Sequence, residues 1–244
     1  MLSHDERIGV ARSAVDYLTG RSGEEWTRPV PNCPGWTVYN AAVHVGRGSV
    51  IWHRTLECAP GDPTARDVAL AAGEGLPSGV EPAELARWAH AALDAMSVDE
   101  ARSCFHHHAA GGAGTLGMWA WHAASEFGVH RIDVEQALGH ELSMTDEQAA
   151  DAVSYVCGFV LPAMSRVTGE NPGVVEIELQ IDRPQRLRLG DGPSGDVTVT
   201  GRPVEVLLAL WGRPHSGVDL DGDTAVWDRW RQLPGIALQF GAWD

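Results

Sequence analysis

The stretch Trp119-Ala120-Trp121-His122-Ala123-Ala124-Ser125-Glu126-Phe127-Gly128-Val129-His130-Arg131-Ile132-Asp133 decides how this chain is read. It lies in a run of helical periodicity from about 116 to 138, which Gly139 closes. Side chains three or four apart share a helix face, so Trp119, His122, Glu126, His130 and Asp133 form one stripe beside Ala123, Phe127 and Val134. If that stripe faced a dry core, each unpaired charge would cost on the order of several kcal/mol. Something must therefore pair with it.

Working outward, residues 4–19 read as a helix with Ile8, Ala11, Val15 and Leu18 on one face, ended by Gly20. The prolines of Arg28-Pro29-Val30-Pro31-Asn32-Cys33-Pro34-Gly35 exclude a helix there. Thr37 then N-caps a second helix, 38–56. A loop rich in Gly, Pro and Asp follows, and Glu81-Pro82 opens a third helix that runs to Met96. A fifth helix, 145–167, follows the long one; Thr145, Asp146 and Glu147 suit the positive end of its dipole, and Pro162 is expected to kink it. His106-His107-His108 reads as a loop or exposed strand, because consecutive residues do not share a face.

The apolar face of the second helix, Ala41, His44, Val45, Gly48 and Trp52, contains one side chain able to coordinate a metal, His44. Glu126 and His130, at i and i+4, converge one turn apart. Two imidazoles and one carboxylate occur together in catalytic zinc sites, where a fourth position stays open. The candidate metal ligands are thus His44, Glu126 and His130, for zinc or another divalent ion. The competing readings are a solvent-exposed polar face for His122, Glu126 and His130, and a hydrogen-bonded core histidine for His44.

After Gly169-Glu170-Asn171-Pro172-Gly173 the hydrophobic period changes to two, over 174–181, 186–189 and 196–200, which predicts an antiparallel sheet. Short helices are expected over 204–211 and 224–231. The predicted fold is α+β, with a metal-binding helical bundle over 1–168 and a small α+β domain over 174–244.

Composition narrows the function. A formal net charge of −15 argues against nucleic acid or an anionic membrane as the main partner. All 18 basic residues are Arg, so lysine Schiff-base chemistry is excluded. Cys33, Cys58, Cys104 and Cys157 form no C-x-x-C pair, the first residues are too polar for a signal peptide, and no window approaches the roughly 18 apolar residues of a membrane span. A cytoplasmic, reduced protein is expected, as monomer or homodimer.

The segments Val30-Pro31-Asn32-Cys33-Pro34-Gly35-Trp36-Thr37-Val38 with Ala42-Val43-His44-Val45-Gly46, the 119–133 stretch, and Val197–Gly201, Leu207–Arg213 and Leu220–Asp223 resemble, in order, the motifs of the mycothiol-dependent maleylpyruvate isomerase family. The resemblance implies a DinB-like up-and-down four-helix bundle, a small C-terminal domain, and metal ligands at His44, Glu126 and His130. Ser125 departs from it, standing where the family usually has His. The implied cosubstrate is mycothiol, and the implied reaction is thiol addition to an electrophilic small molecule, ending in isomerisation or S-transfer. Arg213 is the candidate for gripping a thiol or substrate carboxylate beside a polar loop at His215 and Ser216, its guanidinium suiting bidentate binding. His122 joins it as a candidate catalytic residue, with Asp133 supporting the ligands, while Arg131 is expected in a structural ion pair. The alternatives are a metal-dependent hydrolase on the same fold and a non-catalytic ligand-binding protein.

Overall fold

A computed structural model describes residues 1–74, 76–77, 79–214 and 217–239. It divides into two compact units, Leu2–Ser143 and Met144–Asp244.

The first unit holds α1 (His4–Thr19), α2 (Val38–Thr55), α3 (Ala65–Glu74), α4 (Pro82–Met96), a hairpin of β1 (Ser103–Phe105) and β2 (Ala113–Thr115), and α5 (Leu116–Leu138). Helix starts are set by side-chain caps: Ser3 accepts from the Glu6 N–H, Thr37 from Asn40 and Thr115 from Met118, each satisfying a donor the helix leaves open. Gly139, in the left-handed conformation at φ 70°, ends α5. Apolar faces of α1, α2, α4 and α5 meet in one core, with Val15 and Leu18, Val38 and Val45, Leu93 and Met96, and Trp119 and Phe127 among its members.

Two features fix the helices that carry the stripe. A Cβ at Gly46 of α2 would stand 2.6 Å from Leu85 Cδ2 and 2.9 Å from Leu85 Cβ, so glycine permits the close approach of α2 to α4. On α5, Arg131 Nε donates to Glu135 Oε1 at 2.7 Å and its Nη1 to Ser13 Oγ of α1 at 2.8 Å. Glu135 is buried and also accepts from the Ser143 N–H and hydroxyl, so Arg131 is part of a structural ion pair. The helix α3 falls in the stretch read as loop, and its short amphipathic pattern is hidden among Gly, Pro and Asp.

The second unit starts with α6 (Asp146–Tyr155) and α7 (Leu161–Thr168), joined by a π turn at Val156–Val160. The continuous helix expected over 145–167 is interrupted there because Pro162 lacks an N–H and its ring would crowd the carbonyl four residues back. Then come β3 (Val175–Leu179), β4 (Gln185–Leu189), β5 (Val197–Gly201), α8 (Pro203–Leu210), β6 (Val218–Gly222) and α9 (Thr224–Gln239). The sheet order is β4-β3-β5-β6. It is mixed and not purely antiparallel: β3 pairs with β4 and β5 with β6 antiparallel, but β5 runs parallel to β3. Chain direction alternates from β3 to β4 to β5, and β5 takes the free edge of β3, which makes the two parallel. Val175, Ile177, Leu179, Val197 and Val199 bury one face, and α6 packs on α8, α7 on α9.

The change of period at 169–173 marks where helix gives way to sheet, while the compact units part at 143/144. The difference arises because α6 and α7 pack with α8 and α9 of the second unit. The polar loop at His215 and Ser216 lies outside the described residues. Among the described residues, no helix is long and apolar enough to cross a membrane.

Candidate metal centre

The stripe of α5 faces the interior of the first unit: Trp119, His122, His130 and Asp133 are buried and Glu126 is partly so. The polar face read as a possible solvated surface is therefore inside. From α2, His44 Nε2 lies 3.2 Å from Glu126 Oε1, and from the next turn of α5, His130 Nε2 lies 3.4 Å from the same oxygen. The ligand atoms of His44, Glu126 and His130 all lie within 4.8 Å of one another. The His44 side chain is 43% exposed, so the group opens to solvent on the α2 side.

The second ring nitrogen of His130 is held from behind. Its Nδ1 stands 3.3 Å from Asp133 Oδ2, near enough for an ion pair though not aligned as a straight hydrogen bond. Asp133, fully buried, also accepts from Asn32 Nδ2 at 3.1 Å and from the Cys33 thiol at 3.4 Å. A carboxylate behind a histidine in this way leaves Nε2 directed to the metal and makes the ring a stronger ligand. Burial by itself opposes charge on both partners, but hydrogen bonds from His130 and His44 hold the Glu126 carboxyl well below its usual range. In the same way Asp133, Cys33 and Glu126 outweigh burial and raise His130 well above the usual histidine range.

The loop before α2 supplies a group to which the sequence reading gave no role. Val30 N–H donates to the Trp36 carbonyl, Cys33 N–H to Val30 and Trp36 N–H to Cys33, with Gly35 at φ 85°, so the proline-rich segment is a closed turn. It sets the Trp36 ring 5.0 Å from His44 and, stacked at 24°, 5.5 Å from His130. The quoted motif contained Trp36, but only the folded turn shows what its ring covers.

His122, one turn before Glu126, is buried and kept neutral: burial lowers its pKa to about 4 against the opposing pull of Glu126. Beside it lies His106-His107-His108. The segment is a turn, as one expected form had it, but it is not exposed: His106 and His108 are buried and His107 half-buried. Ser125, the departure from the family motif, is buried, and its hydroxyl has no hydrogen-bond partner among the described residues. Arg213 belongs to the second unit, where its Nη1 donates to the Trp211 carbonyl at 2.9 Å.

The residues fit a zinc-class ion, since two imidazoles and a carboxylate converge, a carboxylate orients one imidazole, and a solvent-facing side is left for a further ligand.

Comparison with known proteins places the chain in a family. The mycothiol maleylpyruvate isomerase N-terminal domain matches residues 10–135, and the C-terminal domain of the same family matches residues 147–229. Crystal structures of the mycothiol-dependent maleylpyruvate isomerase and of a histidine-to-alanine mutant of it are each similar to the chain at 15% identity and TM-score 0.54, over 90% of this chain and 93% of that one. No curated protein matches. The chain thus belongs to the mycothiol-dependent maleylpyruvate isomerase family, a family of enzymes.

Proposed function

We propose that the chain is a metal-dependent enzyme that activates a low-molecular-weight thiol, mycothiol by its family, for addition to an electrophilic small molecule. The observation that carries this is the convergence of His44 Nε2 and His130 Nε2 on Glu126 Oε1 at 3.2 and 3.4 Å. An ion held by these three residues supplies Lewis acidity, which lowers the pKa of a thiol that joins it and makes thiolate available at neutral pH.

The chain's own residues do the rest. Glu126 offsets part of the ion's charge, and Asp133 keeps His130 Nε2 turned inward. Trp36 covers the two imidazoles from one side, while the exposure of His44 gives a thiol its way in. Thiolate addition to an activated double bond leaves a single bond free to rotate; expulsion of the thiolate then gives the isomer, and protonation instead gives the S-adduct. Arg213, with a fork suited to a carboxylate, is the proposed grip on thiol or substrate. Among the described residues none of the four cysteines forms a disulfide, which suits a reducing, cytoplasmic setting where such a thiol is held reduced.

The test is incubation of the purified protein with mycothiol and maleylpyruvate, or another unsaturated or halogenated electrophile, with mass spectrometry of the products. Thiol-dependent turnover that chelation removes and zinc restores supports the proposal. Turnover that needs metal but no thiol would identify a hydrolase, and ligand binding without turnover a binding protein; either overturns it.

A further inference from the structure

The second histidine group in the bundle has no part in the chemistry above. His107 and His108, from the turn after β1, meet His122 of α5, and their ligand atoms all lie within 4.8 Å of one another. Around one ion bonded at about 2.1 Å to each ring nitrogen, three imidazole centroids stand roughly 4.5–5.5 Å apart. His108–His122 at 4.9 Å and His107–His122 at 5.1 Å fall in that range, while His107–His108 at 4.1 Å is closer and would have to open slightly to take an ion. The rings meet at 74°, 59° and 89°, so none of the three pairs is stacked and their edges can share one point.

The turn that brings two consecutive histidines together is closely tied. His106 N–H donates to the Gly112 carbonyl, Gly112 N–H to Ala109 and Ala109 N–H to His106. Gly111 and Gly112 both take left-handed φ, 64° and 69°, which turns the chain back into β2. His106 itself acts as a strut: its Nδ1 accepts from the His108 N–H at 3.2 Å. A Cβ at Gly114 would stand 2.4 Å from His106 Cβ, so glycine there gives that ring its place. Trp119 Nε1 donates to the Phe105 carbonyl at 2.7 Å and pins the turn to α5.

We propose that His107, His108 and His122 form a second metal site, distinct from the His44 group, that takes a borderline divalent ion such as zinc, cobalt or nickel. Imidazole donors favour that class of metal, and three ligands leave a position open. Burial keeps His107 and His122 neutral, the form in which imidazole binds a metal. The histidines bring no counter-charge of their own, but the field of Glu126 reaches both His107 and His122, and it favours a cation there. With both groups filled, the chain holds two ions.

The test is a cobalt titration of metal-free full-length protein, followed by visible absorption and by equilibrium dialysis with elemental analysis. Wild type is expected to bind two ions per chain; His44→Gln and His107→Gln should each bind one, and the two remaining spectra should differ. If wild type binds a single ion that His44→Gln abolishes and His107→Gln leaves unchanged, the second site is overturned and the first stands. A single ion abolished only by His107→Gln would keep the second site and overturn the first. If His107→Gln does not fold, as judged by circular dichroism, wild-type protein decides: the second equivalent of cobalt should paramagnetically shift the ring-proton resonances of histidines other than His44 and His130, and a titration that shows no such second set would refute the site.

Discussion

Asp133→Asn keeps the shape of a fully buried side chain and removes its charge. The two donors use different oxygens, Asn32 Nδ2 bonding Oδ1 and the Cys33 thiol Oδ2, so an amide that keeps its oxygen toward Asn32 turns its NH2 toward Cys33 and toward His130 Nδ1, now 3.3 Å from Oδ2. Loss of such a carboxylate behind a ligating histidine weakens metal binding by about 10–100-fold, or about 1.4–2.7 kcal/mol. At free zinc about 1,000 times the wild-type Kd, the metal adds roughly 4.1 kcal/mol to wild-type stability and should add only about 1.4–2.7 kcal/mol to the variant. Chelator-competition titration gives the two Kd values, and thermal melts with and without chelator give the stabilisation independently. Equal Kd values, within about twofold, and equal chelator-induced shifts would refute the role assigned to Asp133.

Glu126→Gln should lose most zinc binding and all turnover, and its melting curve should not respond to chelator, whereas that of wild type should; coincident, unresponsive curves for both would count against the ligand role. Gly46→Ala sets a helix-propensity gain of at most about 1 kcal/mol against an overpacking cost of about 1–3 kcal/mol, and the cost should prevail because the new methyl meets Leu85 Cβ and Cα, which no rotamer change removes. Urea denaturation should show the loss, and unchanged stability would mean that α2 and α4 can separate freely. Burial raises the Cys104 thiol to about 11 and the Cys157 thiol higher still, so neither should be alkylated by iodoacetamide at pH 8 in the native protein; rapid labelling of either, read by peptide mass spectrometry, would contradict the packing around it.

What was legible in the sequence was mainly what is local and periodic. α1, α2, α4 and α5 follow their apolar spacing closely, with Thr37 marking a start and Gly20 and Gly139 the stops, while the caps at Ser3 and Thr115 were seen only in the fold. The convergence of Glu126 with His130 follows from helix pitch alone, and His44 was the single coordinating group on the apolar face of α2. Contacts that depend on turns were not legible. The ring of Trp36 reaches His44 and His130 only once the turn at 30–36 has closed, and nothing periodic announces that. The rule that consecutive residues diverge, sound on a helix, misled at His107 and His108, because a glycine-rich turn aims both at α5. Strand pairing was partly hidden for a related reason: alternation shows which residues form a strand but not which edge the next strand takes, so the parallel pairing of β3 and β5 could not be read from it. Likewise, the period change at 169–173 marked a change of secondary structure, but which helices pack together decides where a compact unit ends.

The central claim is that an ion is held among His44, Glu126 and His130, and anomalous diffraction at the zinc edge from crystals grown with stoichiometric zinc tests it most directly. A peak is expected about 2.0–2.2 Å from His44 Nε2, His130 Nε2 and a Glu126 carboxylate oxygen. Crystals of zinc-saturated protein with no anomalous peak among these three side chains would contradict it.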